Sequence, residues 1–257
     1  MFPISDDNPT LRTPIVTFAL LAALAFVWIF VQGASFDAYS LAASVCNLGM
    51  VPGELTGLAP EGLAIPLGAN SLCVVDREPI NLLTPLTSMF LHGGWGHLLG
   101  NGLFLWVFGN NVEDSMGRLR FPIFYVLCGL VAAFAHVLVD PASPVPTVGA
   151  SGAISGVLGA YLVLYPRVRV NLLVILFIFI RIIPVPAWMM LLWWIGLQVI
   201  SGLPQLTAEG AGPTSGVAFW AHIGGFVAGV VLVKPFENRR LVAERTRLRH
   251  LLHPEHP

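Results

Sequence analysis

The chain has 257 residues, of which 56% are apolar and only 11% are charged. Its mean hydropathy is +0.78. A soluble domain carries about 25% charged residues, so this composition excludes an ordinary water-soluble protein and predicts a polytopic membrane protein. The apolar runs are long and continuous rather than alternating, which favours helices over a β-barrel. The formal net charge of −1 gives no reason to expect a nucleic-acid partner.

Six apolar segments predict an all-α bundle of six transmembrane helices. An N-terminus with two aspartates and a long first apolar run favours a true first span over a cleavable signal. We expect a cytoplasmic N-terminal segment (1–13), a six-span domain (14–235) with a long external loop (about 34–85), and a basic cytoplasmic tail (236–257). The predicted spans are 14–33, 94–112, 119–139, 147–165, 187–203 and 216–233.

The basic residues are distributed as this topology requires. With the N-terminus inside, twelve of the thirteen lysines and arginines fall on the cytoplasmic side, and Arg77 falls outside. This asymmetry predicts that both chain termini are cytoplasmic. The twelve are Arg12, Arg118, Arg120, Arg167, Arg169, Arg181, Lys234, Arg239, Arg240, Arg245, Arg247 and Arg249.

The sequence alone leaves the structure of three regions undecided. Residues 171–180 are very apolar but too short to span, so we interpret them as a re-entrant or interfacial segment whose composition permits an extended conformation. Cys46 and Cys73, in the external loop, form either a disulfide or two unpaired thiols. The tail 237–253 mixes Arg with Leu and Val, and we expect it to lie on the anionic inner leaflet or in solvent.

Polar residues inside spans are costly and tend to be functional. Ser151 lies about four residues from the outer end of the fourth span and His222 about six residues from that of the sixth. Both therefore lie roughly 10 Å below the outer surface and can meet if their helices are neighbours. The polar residues inside or beside the spans are His92, His97, Asn101, His136, Ser151, Ser155, Gln198, Ser201 and His222.

Both helices carry small residues that permit such contact. Gly152 and Gly156 are four apart on the fourth span, and Gly225 and Gly229 repeat this spacing just after His222. Helix packing alone is the simpler interpretation. It leaves unexplained why a hydroxyl and an imidazole stand at matching depth beside the two close-packing faces.

Two further side chains complete a candidate acyl-transfer site. His97 and Asn101 are spaced i, i+4 and share a helix face. They could donate hydrogen bonds to an oxyanion together with the backbone N–H of Ser151. No carboxylate has a clear path to His222 at its depth, which predicts a Ser–His dyad rather than a triad. Structural roles are expected for His92 and His136.

Three motifs in this order resemble the rhomboid intramembrane serine proteases in their bacterial six-span form. They are LHGGWGHLLGN at 91–101, GASG at 149–152 and AHIGGFVAG at 221–229. Each motif alone is weak, but together, on the second, fourth and sixth spans, they are specific. The resemblance extends over residues 14–235.

The resemblance implies roles for the candidate residues. Ser151 would be the nucleophile and His222 the general base, while His97, Asn101 and the Ser151 N–H would form the oxyanion hole. The reaction would be hydrolysis of peptide bonds in or beside transmembrane segments of substrate proteins, without metal or cofactor, in the lipid bilayer of a bacterial inner membrane. Substrate would enter past the fifth span. The supporting glycines would be Gly149, Gly152, Gly156, Gly225 and Gly229.

Two departures from the family pattern concern supporting residues. Ser155 stands where some relatives have an aromatic residue that stacks on the base, so another group must hold His222. The segment Glu113-Asp114-Ser115 lacks the arginine that relatives carry at its end, and Arg118 could substitute for it.

Other functions are compatible with parts of the pattern. The main alternative is a non-catalytic rhomboid-like protein that binds client transmembrane helices, although such relatives usually lose the serine or the histidine. A haem-binding electron carrier using His97, His136 and His222 would leave the Ser151 motif unused. A zinc protease is disfavoured because the sequence contains no H-E-x-x-H.

Overall fold

The computed structural model describes residues 2–67, 71–75, 82–176, 179–207 and 217–252, and most of them are helical. π-helical turns extend α1 (Val27–Val31) and join α5 to α6 (Leu105–Gly109). The helices are α1 (Ile15–Phe26), α2 (Ala38–Leu48), α3 (Pro52–Thr56), α4 (Thr84–Thr87), α5 (Trp95–Phe104), α6 (Asn110–Met116), α7 (Arg120–Val139), α8 (Ser151–Leu164), α9 (Ala187–Gly202), α10 (Pro204–Thr207), α11 (Phe219–Phe236) and α12 (Arg239–Leu252). The strands are β1 (Phe2–Asp6), β2 (Ala64–Pro66), β3 (Leu72–Val74), β4 (Arg169–Leu176) and β5 (Phe179–Pro186).

Helical residues occupy most of each predicted span. Within the described part of the chain, three helices are long and apolar enough to cross a bilayer by length and composition. They are Arg120–Val139, Ala187–Leu206 and Phe219–Phe236. Shorter apolar helices run over Ile15–Val31, Ala38–Leu48 and Ser151–Leu164.

The helix of the fourth span begins later than predicted, because the residues before Ser151 are held in a non-helical conformation. Thr147 exchanges both backbone hydrogen bonds with Met50, which lies between α2 and α3, at 2.7 and 3.0 Å. The N–H of Gly149 donates to the carbonyl of Ser88 at 2.9 Å, and its φ of +131° suits only glycine. Ser151 is therefore the first residue of α8, and the prediction that the helix of the fourth span begins at Thr147 is wrong.

Helix α8 forms the centre of the bundle, and every residue from 152 to 161 is buried. Glycines bring its backbone into direct contact with that of α11. A Cβ on Gly225 would lie 2.0 Å from the carbonyl oxygen of Gly152, and one on Gly229 would lie 1.9 Å from that of Gly156. Residue numbers rise in the same direction in both helices from the first pair to the second. Helices α8 and α11 are therefore parallel, with their N-termini at the same end of the bundle.

A three-stranded antiparallel sheet follows the C-terminal end of α8. Strands β4 and β5 form a hairpin, and β1 pairs with β4, with Phe2 opposite Leu173. The prediction of an all-α chain is therefore wrong for this sheet, although residues 171–176 and 179–180 are extended, as their composition permits. The pairing of β1 with β4 joins segments far apart in the sequence, and such pairing leaves no local periodicity by which to predict it.

The C-terminal helix packs into the protein at Arg245, which contradicts the expectation that the whole tail lies on the leaflet or in solvent. Arg245 is only 5% exposed. Its guanidinium donates to the carboxylate of Asp114 at 3.2 Å and to the carbonyl of Asn8 at 3.1 Å. Among the described ion pairs, Arg245 and Arg12 thus supply cations beside Asp114, rather than Arg118. A buried carboxylate needs a charged partner of this kind.

A disulfide joins Cys46 and Cys73, whose Cα atoms are 5.4 Å apart. The bond links α2 to β3, and Met50, just after α2, pairs with the segment that leads to Ser151. Of the two possibilities left open by the sequence, the structure contains the disulfide. Arg77, His253 and His256 lie outside the described residues.

The contact between α8 and α11 predicts a sharp difference between two Gly→Ala substitutions. Gly229→Ala forces a methyl group against a backbone carbonyl, so we expect it to lower the free energy of unfolding by about 1–3 kcal/mol. Gly196→Ala on α9 meets nothing within 4 Å among the described residues and should be neutral or stabilising. Thermal unfolding in detergent measures both variants. Equal stability of the two would contradict the backbone contact.

Candidate active site

The hydroxyl of Ser151 and the imidazole of His222 are in direct contact. His222 Nε2 lies 2.8 Å from Ser151 Oγ. Ser151 begins α8 and His222 stands in the first turn of α11, so the parallel packing of these two helices brings the side chains together. This distance is within the range for proton transfer between a nucleophile and a base.

The other ring nitrogen of His222 is bonded to α9. Nδ1 lies 2.8 Å from Oε1 of Gln198, and the ring of Trp194 lies 5.8 Å from the imidazole at an interplanar angle of 36°. Ser155 turns its hydroxyl to the carbonyl of Ser151 at 2.6 Å. The groups beside the imidazole therefore include two from α9. Sequence reasoning gave Gln198 no role, and the only signal was an amide within an apolar span.

A cavity of about 480 Å³ opens at these residues. Polar and apolar side chains line it together, which is typical of sites that bind part of a substrate and admit water. Its polar lining includes His97, Asn101, His136, Ser151 and His222.

His97 is oriented toward the turn before α8. The N–H of Gly93 donates to His97 Nδ1 at 3.3 Å, which leaves Nε2 as the nitrogen that carries the proton. A Cβ on Gly149 would lie 2.6 Å from this Nε2 and 3.5 Å from Ser151 Oγ. The donor of His97 and the hydroxyl of Ser151 therefore flank the backbone of Gly149, and a larger residue there would collide with the imidazole.

Asn101 follows His97 by one turn of α5 and is 6% exposed. Its Nδ2 is a buried amide donor without a hydrogen-bond partner in the described part of the protein. An unsatisfied buried donor is costly. A donor of this kind beside a cavity is available to an oxygen atom of a bound molecule.

The two remaining histidines of the region contact the surrounding loops. His92 is fully buried, and its backbone N–H and carbonyl both bond the side-chain amide of Gln32 at 2.8 Å. Its ring meets that of His97 edge-on, with centroids 5.1 Å apart. His136 Nε2 lies 3.1 Å from the hydroxyl of Thr147 and so contacts the segment that precedes Ser151.

This arrangement contains the parts of an acyl-transfer site. A hydroxyl contacts a base, and the N–H groups at the start of α8 are free of intrahelical partners, as at any helix N-terminus. The His97 and Asn101 donors line the same cavity. Among the described residues, no group of three or more His, Cys, Asp or Glu side chains is arranged to hold a metal ion.

The chain is similar in sequence to known proteins. A model of the Rhomboid domain matches residues 80–237, which include all three motifs of the site. Rhomboid protease GluP of Bacillus subtilis is 43% identical over 93 residues, which cover 36% of this chain and 17% of that protein. Putative rhomboid protease YdcA of the same organism is 32% identical over 149 residues, covering 58% of this chain and 61% of that protein.

Plant proteins are similar too. RHOMBOID-like protein 5 of Arabidopsis thaliana is 38% identical over 77 residues, 30% of this chain and 25% of that protein. The matches span less than two thirds of the length of each of these three relatives. The domain match nevertheless covers more than half of the present chain. Together with its apolar helices, this match identifies the chain as an integral membrane protein that belongs to the rhomboid family.

Proposed function

We propose that the protein is an intramembrane serine endopeptidase that works with a Ser151–His222 dyad. The observation that carries the proposal is the 2.8 Å contact between His222 Nε2 and Ser151 Oγ inside a polar-lined cavity. A hydroxyl becomes an effective nucleophile when an adjacent base removes its proton. Two of the relatives are named rhomboid proteases, which supports peptide hydrolysis as the reaction.

The proposed reaction has two halves. His222 accepts the proton of Ser151 as Oγ attacks the peptide carbonyl, and the oxyanion receives hydrogen bonds from the Ser151 N–H, His97 Nε2 and Asn101 Nδ2. The imidazolium then gives its proton to the departing amine, which leaves an acyl-enzyme. Water from the cavity hydrolyses this ester with His222 again as the base, and Ser151 is regenerated.

The substrates would be transmembrane segments of other membrane proteins. The nucleophile lies in the bundle, so the scissile bond must reach it within or beside the bilayer. A transmembrane helix protects its backbone carbonyls by hydrogen bonds, so segments whose helix is easily opened should be preferred. Among the described helices, α9 carries Gln198 and Trp194 beside His222, and entry of substrate next to this helix is part of the proposal.

The proposed topology has six spans with both termini in the cytoplasm. The distribution of Lys and Arg supports this topology. Most basic residues would lie at the end of the bundle that carries the sheet and α12, and basic residues favour the cytoplasmic side. The domain would cover residues 14–235, and Ser151 would face the outer side. Relatives in Bacillus subtilis support a bacterial cell membrane as its location.

Loss of either dyad residue is expected to abolish proteolysis. Ser151→Ala removes the nucleophile and His222→Ala removes the base, so cleavage of a membrane-anchored reporter with a helix-destabilised transmembrane segment should fall to background. Ser155→Ala is the matched control, because that hydroxyl bonds only a backbone carbonyl in the described contacts, and it should retain cleavage. Unimpaired cleavage by Ser151→Ala or His222→Ala would disprove the dyad. An inactive wild type would favour a non-catalytic client-binding protein.

Loss of a single oxyanion donor is expected to lower the rate of cleavage only in part. His97→Ala and Asn101→Ala should each lower kcat by about 100-fold or less while KM changes little, because the remaining donors still stabilise the oxyanion. Gly102→Ala adds a methyl group next to Asn101 and serves as the control, because among the described residues this methyl group meets only Leu21, at 3.8 Å. Steady-state cleavage of the same reporter measures these effects. Full activity in both His97→Ala and Asn101→Ala would contradict the proposed oxyanion hole.

A further inference from the structure

We propose that Gln198 is a positioning residue that keeps a proton on Nδ1 of His222 and thereby leaves Nε2 free to accept the proton of Ser151. The inference rests on the proposed protease function. Its basis is the pair of contacts made by one imidazole: Nδ1 lies 2.8 Å from Gln198 Oε1, and Nε2 lies 2.8 Å from Ser151 Oγ.

The chemistry of the amide determines the direction of the bond. A side-chain amide oxygen can only accept, so Nδ1 must carry the proton when it faces Oε1. A neutral imidazole has one protonated nitrogen, and Nε2 is then the acceptor. The opposite tautomer would place a proton on Nε2 and direct it at Ser151 Oγ, where it could not remove the hydroxyl proton.

Gln198 performs without charge the task that a carboxylate performs in a Ser–His–Asp triad. A neutral amide costs less to desolvate than a carboxylate, and at this half-buried position either side chain can present an oxygen to the imidazole. Trp194, one turn before Gln198 on α9, packs its ring 5.8 Å from the imidazole. One face of α9 thus limits both the rotation and the tautomer of His222, in place of an aromatic residue on α8.

The consequence is that the base is held by a helix other than those that carry the dyad. Outward-facing residues of α9 are well exposed, with Trp193 at 69% and Ile200 at 66%. The bond from Gln198 therefore joins a peripheral helix to the central pair α8 and α11. Displacement of α9 would release His222 Nδ1, and the proton could then move to Nε2.

The experiment compares two substitutions of nearly the same shape. Gln198→Met removes the acceptor, and we expect kcat to fall by about tenfold with KM changed by less than about twofold. Gln198→Glu retains an acceptor oxygen and should restore most of kcat. Ser201→Ala, at an exposed position of the same helix, should behave as wild type. All variants are purified as the full chain in detergent and assayed with the same membrane-anchored reporter.

A second measurement does not depend on activity. Nitrogen NMR of the His222 ring, assigned by its loss in His222→Ala, should report a proton on Nδ1 in the wild type and in Gln198→Glu, and a mixture of tautomers in Gln198→Met. Wild-type kcat in Gln198→Met, or a proton on Nε2 in the wild type, would overturn the proposal. An inactive wild type with a proton on Nδ1 would instead reject the protease function while supporting the tautomer assignment.

Discussion

The backbone contact between α8 and α11 is the constraint on which the site depends. In a bilayer no hydrophobic driving force brings helices together, so close packing of small residues must supply the attraction. Here the Gly229 Cβ position lies 1.9 Å from the Gly156 carbonyl oxygen, so only glycine fits. Ser151 stands directly before the first glycine of one helix, and His222 stands one turn before Gly225 of the other. The 2.8 Å contact between Ser151 and His222 lies at the N-terminal end of this helix–helix interface.

The packing of α8 against α11 does not by itself determine where α8 begins or how His97 approaches it. The loops around the N-terminus of α8 do so. Met50 and Ser88 hold the residues before α8 out of the helix, so that α8 begins at Ser151, which lines the cavity. Gly149, with its positive φ, allows His97 to approach the same point. The disulfide between Cys46 and Cys73 connects to this arrangement through α2. The site thus depends both on the packing of α8 against α11 and on the loop segments that hold the residues before Ser151.

Sequence reasoning named the side chains that the structure brings together at the cavity, but not their directions. The glycine spacing on the fourth and sixth spans predicted which helices could touch, because that spacing is local and periodic. The position of Gln198 against His222 depends on the rotation of α9 about its axis, which hydropathy does not report. Likewise, the pairing of β1 with β4 and the burial of Arg245 against Asp114 join distant segments. No local pattern in the sequence specifies such contacts.

The central claim is that the Ser151 hydroxyl is activated by His222, and covalent labelling tests it most directly. A fluorophosphonate reacts with a serine only when a neighbouring base makes the hydroxyl nucleophilic. We predict that the purified protein is labelled at Ser151, as located by mass spectrometry, and that labelling is lost in Ser151→Ala and in His222→Ala. Absence of label in the folded wild-type protein, or its persistence in Ser151→Ala, would contradict the account.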